Sequence, residues 1–298
     1  MVTSERAITD LSENPPRINE FRRILRVFFS MKVAVVGFVI VLFFIVLAIF
    51  APLIAPYNPY TIHTSQQLMA PSSSHWLGTD TLGRDILSRI IYGARTSMII
   101  AILSIFIGSL VGQILGLVAA FYRGNVYTII MRIIDAQMAF PYMVLMIVIA
   151  SMLGGGLRNV IIALSVSMIP ISCRLMCGEA LSIMQNDYIL AERSMGSSSL
   201  RIMLRHVYPN CLPTLIVLMT IQMGVVILGE AGMSFLGIGI QPPTAAWGTM
   251  VAEGYHFLLA TPVLAIAPGI AIILLVFGFN MMGDGLRDAL DPRLRGMV

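Results

Sequence analysis

Lysine, cysteine and histidine are few in this chain, and their spacing does not match known catalytic, nucleotide-binding or metal-binding motifs. Lys32 is the only lysine, and it follows "FFSM" rather than a glycine-rich turn, so the sequence contains no phosphate-binding P-loop. Cys173 and Cys177 are four residues apart on a helix, but no histidine or further cysteine completes a zinc set. The four histidines are scattered, and "GMSFLG" at 232–237 is not the nucleophile elbow of a hydrolase. We therefore expect no catalytic residue, no metal site and no cofactor bound by this chain.

Three ionisable residues stand out because they fall within, or at the edge of, long apolar runs. Arg132 and Asp135 are three residues apart on one helical face, so they can pair near the inner boundary of a membrane. Glu230 lies deep in a later run, where an acid must face protein or a water-filled cavity. It could line a path or bind a helix end. An ion relay needs a chain of such acids, so we interpret Arg132 and Asp135 as a structural pair.

The most polar interior segment is residues 188–210, "YILAERSMGSSSLRIMLRHVYPN". Helix-forming residues lead to Gly196, the residue type usually found just past a helix end. Ser197 or Ser198 then caps a second helix that Pro209 ends. This pattern predicts two short helices joined by a sharp turn. Its exposed tip comprises Ala191, Glu192, Arg193, Ser194, Met195, Gly196 and Ser197.

The second of these helices is amphipathic in sequence. Leu200, Met203, Leu204 and Val207 form one apolar stripe, which we expect to face the membrane. Ordinary connections between helices are about 4–6 residues long, whereas the polar segment from 178 to 212 is far longer. A structured segment of this length favours a docking element over an idle loop.

The elements that must position these residues are predicted to be membrane helices. Hydrophobic residues make up 57% of the 298 positions, only 11% are charged, and the mean hydropathy is +0.87. A soluble domain has about 25% charged residues, so lipid must be the main solvent of this chain. A crossing needs about 20 apolar residues. Four runs meet this need, and Pro141 would kink the third of them: Val33–Ala55, Thr96–Tyr122, Ala136–Leu157 and Phe257–Gly283. Two less regular runs complete six predicted spans, namely Asn159–Cys173, which must extend to about Cys177, and Leu212–Leu236, which contains Glu230.

Basic residues predict the orientation of these six spans. Of the 19 Lys and Arg, only Arg84, Arg89, Arg95 and Arg158 fall on the predicted outer side. Both termini and the 178–212 loop are therefore expected in the cytoplasm. The net charge of +4 reflects this bias and does not indicate binding to nucleic acid.

Several flanking segments complete the predicted organisation. Residues 18–32 read as an interfacial helix at the end of an N-terminal tail, 1–32. The transmembrane domain spans 33–283, with an outer loop at 56–95, and a cytoplasmic tail follows at 284–298. Within the outer loop, Asp80 and Thr81 are predicted to cap an amphipathic helix, and Trp247 is predicted at interface height.

Glycines at 108, 112 and 116 give the second span a small-residue face. Small residues on one face let another helix approach closely. That helix could come from the same chain or from a partner chain.

The polar segment resembles the EAA loop of ABC importer permeases. The rest resembles one branch of these proteins, the C-type permease subunit of dipeptide, oligopeptide and nickel importers. The matching segments are "HWLGTDTLGRDILSRIIYGARTS", "MRIIDAQMAFP", "GEAGMSFLGIGIQPPTAAWG" and "GDGLRDALDPRLR". The resemblance runs from about residue 30 to 296, and it implies an all-α, polytopic type I importer fold.

The resemblance also implies partners and a location. These are a homologous B-type permease, two cytoplasmic ATPases that bind ATP and magnesium, and an extracytoplasmic substrate-binding protein. The protein would lie in the cytoplasmic membrane of a bacterium or archaeon, and the tip at 191–197 would dock on an ATPase. The loop departs from the family pattern, because Leu190 stands where the first acid is expected, Glu192 where an alanine is expected and Tyr208 where a leucine is expected.

The cargo implied is a dipeptide or oligopeptide, with nickel complexes and glutathione-like compounds as alternatives. Two other classes remain on the residues alone. An ion-coupled secondary transporter would need more intramembrane acids and inverted repeats. A non-transporting scaffold would leave no solute uptake dependent on this chain.

Overall fold

The computed structural model describes residues 20–290, which form helices joined by loops, with no strand in that part of the chain. The helices are α1 (Glu20–Ser30), α2 (Lys32–Ile54), α3 (Ile86–Tyr122), α4 (Gly124–Met138), α5 (Tyr142–Leu153), α6 (Leu157–Ile183), α7 (Asp187–Ser194), α8 (Ser199–Phe235), α9 (Trp247–Tyr255) and α10 (Val263–Leu290). A short 3₁₀ turn at Thr64–Gln66 lies between α2 and α3. Residues 1–19 and 291–298, which are the outer parts of the predicted tails 1–32 and 284–298, lie outside the described residues.

Five of the described helices are long and apolar enough to cross a membrane, namely α2, α3, α6, α8 and α10. The predicted third span is not one kinked helix. It is the pair α4 and α5, bent by 91°, and counting the pair as one span gives six. Pro141 explains the break, because proline lacks the N–H that a continuous helix needs and disfavours helical geometry in the residue before it.

The three glycines of α3 pack against α6 of the same chain. A Cβ on Gly108, Gly112 or Gly116 would lie within 2.6 Å of a backbone carbonyl oxygen of α6. Only glycine permits this approach, because any larger residue would overlap the facing backbone. From the sequence, this glycine face could have packed against a helix of the same chain or of a partner chain. The structure shows that it packs against a helix of the same chain.

The predicted amphipathic helix in the loop between α2 and α3 is wrong. Asp80 Oδ1 instead accepts the backbone N–H groups of Leu82 and Arg84 in a tight turn, and Gly83 adopts φ +75°. The helix starts only at Ile86, with the carboxylate of Asp85 accepting the Ser88 N–H at 2.8 Å as its N-cap. The Asp80 carboxylate thus stabilises the turn, and the Asp85 carboxylate caps the helix. The apolar residues from Ile86 onward therefore belong to one long helix.

A buried ion network ties this first loop, residues 55–85, to the rest of the bundle. Asp80, Arg84 and Arg89 are at most 3% exposed. Arg84 Nε donates to Asp80 Oδ2 at 2.6 Å, and Arg84 Nη2 reaches Glu253 of α9 at 3.4 Å. Arg89 Nε lies 3.5 Å from the same Asp80 oxygen. Because these charges are buried, each depends on its partners for stability.

Trp247 is buried in protein, so its ring does not face lipid as the side chains of an aromatic belt do. It begins α9, is fully buried, and its indole N–H donates to the Ile90 carbonyl of α3 at 2.9 Å. Its ring packs edge-on against Phe44 of α2 and fits over Gly93, where a Cβ would lie 2.5 Å from the indole. The absence of a side chain at Gly93 creates the space that the tryptophan fills.

The end of α10 packs against the first helices. Phe28 of α1 and Ala34 of α2 are buried beside Gly285 and Ala289 of α10. In the predicted interfacial helix, the face with Phe28 therefore contacts protein, whereas Phe29 is 51% exposed. This contact places α1 at the same end of the bundle as the end of α10.

Candidate functional site

The polar segment folds as two helices joined by a sharp turn, as the sequence predicts. Here it is called the knob, residues 187–207. Gly196 has φ +81°, in the left-handed region that favours glycine. The Ser197 N–H donates to the Glu192 carbonyl at 3.1 Å, and the Gly196 N–H donates to the Arg193 carbonyl at 3.0 Å. These two bonds define a Schellman motif, which satisfies the last carbonyls of α7.

The second helix begins at the predicted cap but does not end at Pro209. The hydroxyl of Ser198 accepts the Arg201 N–H, and the helix then continues to Phe235 as α8. A π-helical turn spans Ile202–Val207, where the Tyr208 N–H donates five residues back to the Met203 carbonyl. Pro209 lies inside this helix, and the wider turn directly before it accommodates the missing N–H of the proline. The knob is therefore joined directly to a membrane helix.

The knob is anchored by an apolar base. Ile189 of α7 and Ile202, Met203 and Val207 of α8 are buried in one cluster with the ends of α3 and α6. The predicted stripe is half wrong, because Leu200 and Leu204 are exposed.

The π-turn explains this error. A stripe drawn with 3.6 residues per turn fails where the turn is wider. Ile202, which the stripe omitted, is buried in place of its two exposed members.

The two charged residues of the tip make contacts within the chain. Glu192 accepts the Ser197 hydroxyl at 2.5 Å, and its other oxygen lies 3.6 Å from His206 Nε2. The Arg193 guanidinium lies over the ring of Phe121, 5.7 Å from its centroid. Glu192 is thus turned inward, which agrees with its position two residues away from the expected acid.

The outward surface of the knob combines exposed charged and polar residues with several large apolar side chains. The large apolar side chains that are more than two fifths exposed are Tyr188, Leu190, Met195, Leu200 and Leu204. Their exposure is highest at Met195, 73%, beside the Gly196 turn. Exposed apolar side chains that cluster in this way mark an interaction surface. Sequence analysis assigned only Met195 to this surface, and a stripe assigned with the correct helical period could have found Leu200 and Leu204.

A hydrogen bond joins the base of the knob to the last third of α3. The Tyr208 hydroxyl donates to Gln113 Oε1 at 3.1 Å, and Gln113 is 5% exposed. The same glutamine donates weakly to the sulfur of Met219 on α8. The departure from leucine at position 208 therefore provides a polar link between the knob and a membrane helix.

The predicted pair of Arg132 and Asp135 is not formed. Asp135 instead accepts a hydrogen bond from Arg174 Nη2 of α6, and both side chains of this pair are 51% exposed. The pairing crosses from α4 to α6 because these two helices pack side by side. Arg174, in the second half of α6, is held by this carboxylate.

Glu230 is only 1% exposed and lies near the end of α8. Its Oε1 accepts the hydroxyl of Ser234 at 2.7 Å, and Ser234 Oγ in turn accepts the Ile240 N–H at 3.0 Å. Through Ser234 the carboxylate is linked to the turn after α8, and its Oε2 has no hydrogen-bond partner among the described residues.

Matches to families cover most of the chain. Residues 112–296 match the family described as binding-protein-dependent transport system inner membrane component. Residues 19–71 match the N-terminal TM domain of oligopeptide transport permease C.

Curated relatives are similar over nearly their whole length. Glutathione transport system permease protein GsiD of Pectobacterium atrosepticum is 40% identical over 296 residues, which is 99% of this chain and 97% of that protein. Dipeptide transport system permease protein DppC of Alkalihalophilus pseudofirmus is 40% identical over 264 residues, or 89% of this chain and 87% of that protein. GsiD of Escherichia coli is 43% identical over 277 residues, or 93% and 90%.

A solved structure of the inward-facing MetNI methionine ABC transporter contains a chain with a similar fold. The TM-score is 0.58 at 19% identity, and the match covers 69% of this chain and 98% of that chain. Similarity at this identity shows the fold alone.

Proposed function

The chain belongs to the family of binding-protein-dependent transport system inner membrane components, and on that premise we propose that it forms one half of the pore of an ATP-driven peptide importer. As a permease of an ABC importer, it is a multi-pass membrane protein that works with ATPases and a binding protein. The second half of the pore would be a homologous B-type permease, and two cytoplasmic ATPase subunits would hold ATP and magnesium. This chain binds no cofactor in the proposal. An extracytoplasmic binding protein would deliver the cargo at the cytoplasmic membrane of a bacterium.

The knob is the proposed contact with one ATPase, and its structure supports this role. It is built on a Schellman turn and anchored by a buried base, so it can transmit force as a rigid body. Its exposed large apolar side chains suit a cleft on a partner that has apolar walls. Arg201 and Arg205 lie near the tip, and basic residues favour the cytoplasmic side.

The route from the knob into the membrane domain supports alternating access. The π-turn connects the knob without a break to α8, and the bond from Tyr208 to Gln113 connects it to α3. Closure of the ATPases would move the knob, and the two helices would follow, which rocks one half of the pore against the other. The energy would come from the ATPases.

The proposed cargo is a peptide. The relatives are named for dipeptide and glutathione transport, and glutathione is itself a tripeptide. A nickel complex is the alternative within the same family. Competition uptake in a deletion strain that carries this importer decides between them, since unlabelled dipeptides compete with a labelled peptide and nickel chelates do not.

Replacing Gly196 tests the coupling role. A β-branched residue at φ +81° costs at least about 1–2 kcal/mol in backbone strain, yet a Cβ there contacts nothing within 4 Å. Gly196→Val should therefore distort the turn without disturbing the packed base. Gly196→Asn is the matched control, because asparagine tolerates the left-handed region.

We expect Gly196→Val to lower both peptide uptake and cargo-stimulated ATP hydrolysis in reconstituted importer, with Gly196→Asn close to wild type. Co-purification with the ATPases and a melting temperature near wild type would show that the variant folds. If uptake and stimulated hydrolysis are both unchanged in Gly196→Val, the knob does not couple the two subunits.

A further inference from the structure

Two cavities lie one after the other along the face shared by α4 and α6. The first has a volume of about 430 Å³ and lies at the break between α4 and α5. It is called the break cavity here. The second, of about 610 Å³, contains the ion pair of Asp135 and Arg174 and is called the charged cavity.

Together the two cavities form one groove. On α6 their lining residues follow a helical stripe: Ser167, Ile171, Arg174, Gly178 and Leu181. Spacings of three and four residues place these side chains on one side of the helix. A single face of α6 therefore lines the groove from the helix break to the end that carries the charges.

The break cavity contains neutral polar groups whose hydrogen-bonding capacity is unused. Gln137 Oε1 and the hydroxyl of Tyr142 are shielded and have no partner among the described residues. Gln222 Nε2 has a methionine sulfur as its acceptor, at 3.3 Å from Met168, and sulfur is a weak acceptor. An unpaired buried polar group is destabilising. The two unpaired groups, and a third that is paired only with sulfur, border one cavity and suit a polar ligand there.

Lipid is a poor candidate to cover this face. The backbone between Met138 and Tyr142 is not helical. At membrane depth such backbone is tolerated only where it is buried in protein or lines a water-filled cavity. The half-exposed charges of Asp135 and Arg174 on the same groove need the same surroundings.

We propose that this groove is the chain's share of the cargo path, and that Gln137, Tyr142 and Gln222 hydrogen-bond the amide groups of a peptide as it passes the helix break. This inference rests on the proposed function. Glutamine and tyrosine side chains can each donate and accept a hydrogen bond, as the N–H and carbonyl of a peptide require. Because every peptide has this backbone, such a site accepts cargo with different side chains.

The test uses two shape-preserving variants, Tyr142→Phe and Gln137→Met, in proteoliposomes that contain the complete importer and saturating loaded binding protein. We expect each to lower the peptide imported per ATP hydrolysed by about two- to tenfold, the loss of one neutral hydrogen bond. ATP hydrolysis without cargo should stay at the wild-type rate. Tyr255→Phe and Gln67→Met, at exposed positions outside the groove, are matched controls that should transport normally.

The outcomes separate this inference from the proposed function. If the wild-type importer carries no peptide, the proposed function fails. If the wild type transports peptide and both groove variants keep the wild-type ratio, only the groove assignment is overturned. Loss of uptake together with loss of the cargo-free hydrolysis rate also counts against the assignment, since it indicates general damage.

A labelling experiment identifies what covers the break cavity. Gln137→Cys is placed in a background in which Cys173, Cys177 and Cys211 are replaced by alanine. A charged, membrane-impermeant thiosulfonate should react with the new thiol, and saturating peptide cargo should slow the reaction at least threefold. Reaction only with a lipid-soluble maleimide would place lipid over the cavity, and reaction at an unchanged rate with cargo would leave the peptide elsewhere. Either result overturns the proposal.

Discussion

Asp80 is the carboxylate that both buried arginines of the first-loop network face. We therefore expect the loss of its charge to destabilise the fold more than the loss of any other charge in this network. Its Oδ2 faces Arg84 Nε at 2.6 Å and Arg89 Nε at 3.5 Å. In Asp80→Asn the remaining oxygen can still accept the backbone N–H groups of Leu82 and Arg84, so the turn keeps its local bonds. Arg84, 3% exposed, then keeps only Glu253 at 3.4 Å, and Arg89, 2% exposed, has no ion-pair partner left among the described residues. Removing one partner from a buried pair costs about 3–5 kcal/mol.

The measurement is the melting temperature of the purified protein in detergent. In a protein of this size, 1 kcal/mol shifts the melting temperature by about 2–4 °C, so Asp80→Asn should melt about 6–20 °C lower. Asp284→Asn changes the same group at an exposed position of α10 and should melt within about 2 °C of wild type. The comparison separates the buried network from a general effect of losing one negative charge.

A second variant tests the physical reason for the loss. When Arg89→Met is combined with Asp80→Asn, one buried unpaired charge is removed, so the double variant should be more stable than the sum of the single losses. If Asp80→Asn melts within 2 °C of wild type, or if the two changes are simply additive, the buried charges do not hold the first loop to the bundle.

Two further changes test the packing of α9 and the surface of the knob. Trp247→Phe removes the hydrogen bond to the Ile90 carbonyl and part of a fully buried ring. It should lower the free energy of unfolding by about 2 kcal/mol and the melting temperature by about 4–8 °C. An unchanged melting curve would show that the contact between α9 and α3 does not stabilise the protein. Leu190→Gln, at a position 53% exposed, should leave the melting temperature unchanged but lower co-purification of the ATPases and peptide uptake, and normal assembly would show that the apolar surface does not dock.

The membrane domain could be predicted from the sequence because hydrophobic run length is a local property. The first span was placed to within a residue at each end, at Lys32–Ile54. Other boundaries moved by as much as thirteen residues, and α8 begins at Ser199 rather than Leu212. These helices extend beyond their apolar runs into polar residues. Contacts with other parts of the protein, rather than with lipid, stabilise the helices there.

The candidate site was predicted in part. The turn at Gly196 was found because a left-handed residue after a helix has a strong sequence preference, and the structure confirms its φ of +81°. The inward contacts of Glu192 and the exposure of Leu200 and Leu204 were missed. The π-turn rotates the side chains that follow its start, so Met203 and Val207 separate from the stripe of Leu200 and Leu204. The contacts of Glu192 depend on the tertiary positions of Ser197 and His206.

The sequence by itself determined that this chain is embedded in a membrane, that it turns sharply at Gly196, and that α3 has a face of small residues. Each of these follows from residues within a few positions of one another. The tertiary structure alone decided that Asp135 pairs with Arg174, 39 residues away, and that Trp247 binds α3 across 157 residues. Such partners are chosen by which helices pack together, and that choice depends on shape and burial summed over the whole bundle rather than on any local pattern.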